Sequence, residues 1–165
     1  AAAFYGGATI AWQEMHHGKK IALSISMEVD ARIGAVAFIP TSAVSTSKAR
    51  KHLPEVIPHA DAVANSAHSA LMVHALAARP DLLFTATQDF LHQQYRQDLM
   101  PTSFTLMSKL RSAGVAAFIS GAGPAVLVLH TGGASDIAEM ERAAGEKFVV
   151  TPLSISRAGA SVITA

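Results

Sequence analysis

Ser120-Gly121-Ala122-Gly123-Pro124 stands between two apolar runs, Val115–Ile119 and Ala125–Leu129. Two strand-type runs joined by a short glycine-containing loop predict a β-hairpin, which commits this stretch to an antiparallel sheet. Glycine opens the backbone to positive φ and lets another backbone or a phosphate come close. The loop is either a tight turn only or a place where amide N–H groups face an anion. The residues alone leave both readings open.

The rest of the chain supplies partners for that hairpin. Ala8–Trp12 and Ile21–Val29 read as strands. The second alternates, with Ile21, Leu23, Ile25 and Met27 on one face, and polar Gln13–Lys20, containing Gly18, reads as the turn between them. Ala35–Ile39 is a further strand, ended by Pro40. Ser42–Ser47 is a hydroxyl-rich loop from which Ser45 or Thr46 caps a short helix running to His52 and closed by Pro54. Asp61–Ala78 is the clearest helix: Val63, Ala67, Ala70, Leu71, His74 and Ala78 recur at three- and four-residue spacing, and Arg79-Pro80 stops it. Leu82–Leu91 and Ser103–Ser112 read as helices separated by polar residues and Pro101. Asp136–Gly145 is a short amphipathic helix, with Asp136 and Glu139 at capping-box spacing and Gly145 as its stop. Phe148–Ile155 closes as a strand.

From Ala35 onward, the order strand, helices, strand, strand, helix, strand predicts an α+β fold. It is a ferredoxin-like split βαβ layer with helices on one face of an antiparallel sheet. A chain of 165 residues suffices for one domain with a real core, or for a two-layer half of something larger. With half its residues hydrophobic and 15% charged, it is globular rather than disordered. A formal net charge of +1 argues against nucleic acid as a partner. The absence of cysteine excludes disulfides and thiolate metal sites. No apolar run has the length of a bilayer span and no charged segment leads into one, so no membrane partner and a cytoplasmic location are expected. The opening Ala-Ala-Ala-Phe-Tyr-Gly-Gly has no initiator Met and reads as the interior of a longer protein.

Two arginines and the glycine loop are the places where chemistry could sit. In Ser45-Thr46-Ser47-Lys48-Ala49-Arg50, a helix starting near Thr46 puts Arg50 one turn later on the same face, so that a hydroxyl and a guanidinium converge. Arginine suits bidentate recognition of carboxylate or phosphate; a capped helix start with a solvated arginine is the plainer reading. Arg96 lies in the polar stretch His92–Pro101, where it is either a binding group or a solvated connector residue paired locally with Asp98. The eight histidines include adjacent His16 and His17, and His68 and His74 six apart, which misses the i,i+4 spacing of a helical metal pair. No metal site is therefore expected, and His74 reads as a hydrogen-bonded interior histidine. No nucleophile elbow, Walker loop or Gly-x-Gly-x-x-Gly fingerprint occurs, and neither catalytic nor cofactor-binding residues are assigned.

Four segments occur in one order: Phe4–Ile10, Ser45–Pro54, Tyr95–Pro101 and Ser120–Pro124. The series resembles the C-terminal half of the homoserine kinases, within the GHMP small-molecule kinase family. The resemblance runs over essentially the whole chain. Asn65, Val73–Leu76 and Arg79–Leu83 look like its actinobacterial branch. It implies transfer of the ATP γ-phosphoryl group to the hydroxyl of L-homoserine, a step toward threonine. It also implies that Thr46, Arg50, Arg96, Gly121 and Gly123 bind substrate, the two arginines taking the homoserine carboxylate and neighbouring charge. Residues 1–34 would then end an N-terminal kinase domain, and 35–165 would form the C-terminal domain. The glycine-rich loop that cradles ATP, and the acidic residue near Mg2+, belong to the N-terminal half in this family and have no counterpart here. The chain alone is therefore expected to be inactive, with that half as its partner and a homodimer possible. The competing expectation is a free-standing ferredoxin-like module that binds a small molecule or has a regulatory role.

Overall fold

The computed structural model describes residues 2–41 and 52–161. A short helix, α1 (Ala2–Tyr5), leads into a two-stranded hairpin of β1 (Ala8–His16) and β2 (Lys19–Met27). Its register pairs Ala8 with Met27 and His16 with Lys19. The turn is therefore only His17-Gly18, both at positive φ, as the tightest hairpin turns require. The sequence makes all of Gln13–Lys20 a turn. The strands run on through these polar residues because backbone pairing, not burial, defines a hairpin arm that reaches into solvent.

The main body is β3 (Gly34–Pro40), α2 (His59–Ala77), α3 (Leu83–Ala86), α4 (Pro101–Ser112), β4 (Ala116–Ile119), β5 (Val126–His130), α5 (Ala134–Ala144) and β6 (Phe148–Leu153). The four strands form one antiparallel sheet in the order β4-β5-β3-β6. That is the split βαβ arrangement which the alternation of elements predicts. Period-two alternation sends Val36, Phe38, Ala117, Ile119, Val126, Val128 and Phe148 to one face, where α4 (Leu106, Met107, Leu110) and α5 (Met140, Ala144) cover them. Phe38, Val36, Val126 and Val128 are fully buried, each stabilising the fold by about 1.5–3 kcal/mol relative to exposure. On the other face, Ile39, Val149 and Leu153 stay about half exposed. A smaller cluster joins α2 and α3 to the end of the sheet through Ala75, Leu83, Ala86, Ile33 and Ala116.

Several local expectations are corrected. The stripe read as the buried face of α2 is largely its outer face: Val63 is exposed, as is His74, which is not an interior histidine. Ala75 is the fully buried residue, flanked by half-buried Leu71, Met72 and Leu76. The helix is small and apolar nearly all round, so its periodicity does not single out one face. Leu82–Leu91 is not a helix. A 3-10 turn (Pro80–Leu82) and the single turn of α3 end at Thr87, whose hydroxyl donates back to Leu83 O (2.8 Å). Pro101 does not separate elements but starts α4, in the first-turn position where its missing N–H costs nothing. Asp136 is not the N-cap of α5. It sits in the first turn and accepts from Gly133 N (3.1 Å). The short helix read from Ser45 or Thr46 lies outside the described residues.

Candidate functional site

Asp89 begins the site. Its carboxylate accepts the backbone N–H of Leu91 (3.2 Å), His92 (3.0 Å) and Gln93 (2.6 Å), and meets His92 Nδ1 at 2.9 Å. Partial burial pushes the Asp89 carboxyl up; the hydrogen bonds from His92, Gln93 and Leu91 outweigh it, so the group sits below its usual range and stays ionised. Three donors on one carboxylate turn the chain sharply and launch the 3-10 segment Gln94–Leu99 that carries Arg96. From α2, Asn65 Oδ1 accepts Phe90 N (3.1 Å) and pins the other side of that turn.

Arg96 is 7% exposed, the one buried charged side chain among the described residues. Its Nη1 donates to Gly121 O at 3.1 Å, so the guanidinium turns into the glycine loop rather than out to solvent. The loop between β4 and β5 is closed by Ser120 N–H to Ala125 O (2.8 Å) and Gly123 N–H to Ser120 O (2.9 Å). Its two glycines do different work. At Gly123 (φ +80°) a Cβ would stand 2.5 Å from Met100 Sδ and 3.0 Å from Ile119 Cγ2, so the loop lies against the core there. At Gly121 (φ +57°) a Cβ would meet nothing within 4 Å.

Arg96 and Gly121 line a cavity of about 750 Å³, together with Asn65, Asp89, His92 and Gln93. A cleft of similar size, about 740 Å³, lies between the hairpin and the segment after β6, around Asp30, Arg32 and Arg157. There Arg32 and Arg157 are exposed, and Arg32 is already engaged bidentately by the partly buried Asp30. The first cavity is the stronger site because its guanidinium is buried and held against the glycine loop at the cavity's edge. A guanidinium held by a carbonyl at the edge of a cavity can present N–H donors to a carboxylate or phosphate.

Of the residues singled out in the sequence, the structure brings Arg96 and Gly121 together and sets Gly123 beneath the same loop. Thr46 and Arg50 lie outside the described residues. Sequence reasoning missed Asp89, Asn65 and Gln93. Asp89 had a signal, an aspartate placed to cap the next three amides. Asn65 and Gln93 had none, because their partners lie 25 and 26 residues away.

The family model described as GHMP kinases C terminal matches residues 67–149. Homoserine kinase of Streptomyces avermitilis is 45% identical over 163 residues, 99% of this chain and 52% of that protein. The Streptomyces coelicolor homoserine kinase is 42% identical over 99% of this chain and 51% of its own length. The chain thus spans about half the length of the curated relatives it matches. The crystal structure of homoserine kinase from Cytophaga hutchinsonii superposes with a TM-score of 0.75 at 21% identity, covering 96% of this chain and 51% of that one. The structure of a putative homoserine kinase from Listeria monocytogenes gives 0.62 at 21% identity, over 99% of this chain and 54% of that one. At that identity, the two structures establish the shared fold.

Proposed function

The chain belongs to the GHMP kinase family, whose C-terminal domain it carries, and from that premise we propose that it is the C-terminal part of an ATP-dependent homoserine kinase and supplies much of its amino-acid pocket. The observation that carries this reading is Arg96: a buried guanidinium tied to Gly121 O at the edge of a cavity, in a chain 45% identical to a homoserine kinase. A zwitterionic amino acid needs a fork-shaped cation for its carboxylate, and Arg96 offers one. Gly121 leaves room beside it, and Gly123 fixes the loop's depth. Thr46 and Arg50 join the pocket on the family resemblance. Phosphoryl transfer depends on positioning and charge stabilisation, and the contribution of these residues is to hold the substrate so that its hydroxyl faces the γ-phosphorus.

ATP and Mg2+ fall to the N-terminal half. The domain boundary near residue 34 is supported by the hairpin. It forms its own sheet, and its apolar face of Ile10, Trp12, Ile21, Leu23, Ile25 and Met27 is half-buried or exposed throughout. A two-stranded hairpin is marginal by itself in water, so this face calls for a covering layer from the other half. The same observation disfavours a self-sufficient regulatory module. A cytoplasmic enzyme of threonine biosynthesis fits the reading; no helix among the described residues is long and apolar enough to cross a membrane.

The test is homoserine-dependent ADP release by this chain alone and with the N-terminal half restored. Activity only in the restored form is expected. Activity of the chain alone would overturn the division of labour, and inactivity of a well-folded restored form would overturn the kinase reading.

A further inference from the structure

Among the described residues β4 is an edge strand, and no neighbouring strand receives the N–H groups on its outer side. Ile119, at its C-terminal end, is only 6% exposed, so its N–H needs a partner other than bulk water. The partner is a side chain from another segment: Ile119 N donates to Gln93 Oε1 at 2.6 Å. Gln93 is itself held by Asp89, through its own N–H at 2.6 Å, and its carbonyl accepts Arg96 N at 3.0 Å. Arg96 Nη1 then returns to Gly121 O, two residues beyond Ile119. The bonds close a ring: Gln93 side chain to Ile119, along the strand end to Gly121, across to the Arg96 guanidinium, and back through the backbone to Gln93.

We infer that Gln93 is a positioning residue for Arg96: it clamps the Arg96 segment to the end of β4 and so sets the guanidinium's place against the glycine loop. This role is separate from the substrate contacts assigned above, and it rests on the reading of Arg96 as the carboxylate-binding group. The bond at Ile119 N ties the segment that carries the cation to the strand end that leads into the loop shaping the cavity. Removing the acceptor leaves a buried N–H unpaired and frees the two segments to move relative to each other. Asp89 supports the clamp by orienting the Gln93 backbone, and an ionised carboxylate is what three amide donors require.

The experiment uses the full-length kinase that carries this domain. Gln93→Met keeps the length of the side chain and removes the acceptor. Misplacement of a binding group by a fraction of an ångström is expected to raise KM for L-homoserine about tenfold, with KM for ATP within about twofold of wild type. In an Arg96→Ala background the same change is expected to add less than about twofold, because the group it positions is gone. Amide exchange at Ile119 is expected to accelerate in Gln93→Met. If that variant does not fold, Gln93→Asn, which withdraws the amide by one methylene, is read instead. An unchanged homoserine KM in a folded variant, or the full tenfold effect persisting without Arg96, overturns the positioning role while leaving Arg96 in place. If Arg96→Ala alone leaves the homoserine KM unchanged, the substrate reading of Arg96 fails first and takes the positioning role with it.

Discussion

Gly121 and Gly123 lie two residues apart in one loop, both at positive φ, and an alanine at each should do opposite things. A non-glycine residue in the left-handed region costs about 1–2 kcal/mol, and both variants carry that strain. At Gly121 nothing stands within 4 Å of the new methyl, so the loss of stability should stop near 1 kcal/mol. At Gly123 the methyl would meet Met100 Sδ at 2.5 Å, Met100 Cε at 2.7 Å and Ile119 Cγ2 at 3.0 Å. A thioether is a flexible obstacle, but Met100 is 4% exposed and Ile119 6%, so the space must come from the core. Overpacking of this kind adds about 1–3 kcal/mol, for a total of about 2–5 kcal/mol. Function should follow the reverse order. Gly121 lines the cavity beside Arg96, so Gly121→Ala should raise KM for homoserine in the full-length enzyme with little loss of stability. Urea unfolding of the two variants with unchanged m-values checks the first half, and initial-rate kinetics the second. Equal destabilisation of the two, within about 0.5 kcal/mol, would refute the claim that the loop is packed at one glycine and open at the other.

Arg96→Ala should raise KM for homoserine or lower kcat by the equivalent of about 2–5 kcal/mol, with KM for ATP little changed, because a desolvated carboxylate would lose its partner; wild-type kinetics would remove Arg96 from the site. Arg111 donates to Phe84 O (2.8 Å), Ala117 O (3.0 Å) and Thr87 Oγ1 (3.1 Å) and stacks 4.5 Å over the Phe84 ring, joining α4 to α3 and β4. Arg111→Met should therefore cost about 2–4 kcal/mol in urea unfolding, and Arg111→Lys should recover only part of it, since an ammonium cannot fork to two carbonyls. Hydrogen bonds from Arg32 hold the Asp30 carboxyl at about 2, below its unfolded value. A depressed pKa stabilises the fold above the unfolded value, about 3.9, and that contribution is lost as pH falls through about 2. Tm of Asp30→Asn should therefore fall less than that of wild type between pH 5 and pH 2; parallel curves would show that the pair contributes nothing.

The elements were legible where local pattern suffices to define them. Continuous apolar runs at 115–119 and 125–129 around two glycines predict a hairpin, and the sequence of element types already implies the antiparallel split βαβ sheet. Arg96 was legible as a candidate, since an arginine in a polar stretch is a limited set of chemical options. The buried face of α2 was not: alanine and valine occur nearly all round the helix, and only the shape of the surface it meets selects Ala75 over His74. The break after Ala86 was not legible either, because Thr87 and Asp89 divert the chain by bonding their own neighbours in competition with a helix.

What the tertiary structure alone decides is the state of the candidate site. Whether Arg96 is solvated or buried depends on Gly121, 25 residues away, and on how the segments around the cavity they share pack together. Whether Gln93 is a surface amide or a clamp depends on an unpaired strand edge that exists only once the sheet has formed. Local sequence sets which groups are available and what backbone they favour. Desolvation and long-range hydrogen bonding set their energies, and those terms take values only when distant segments are brought into contact.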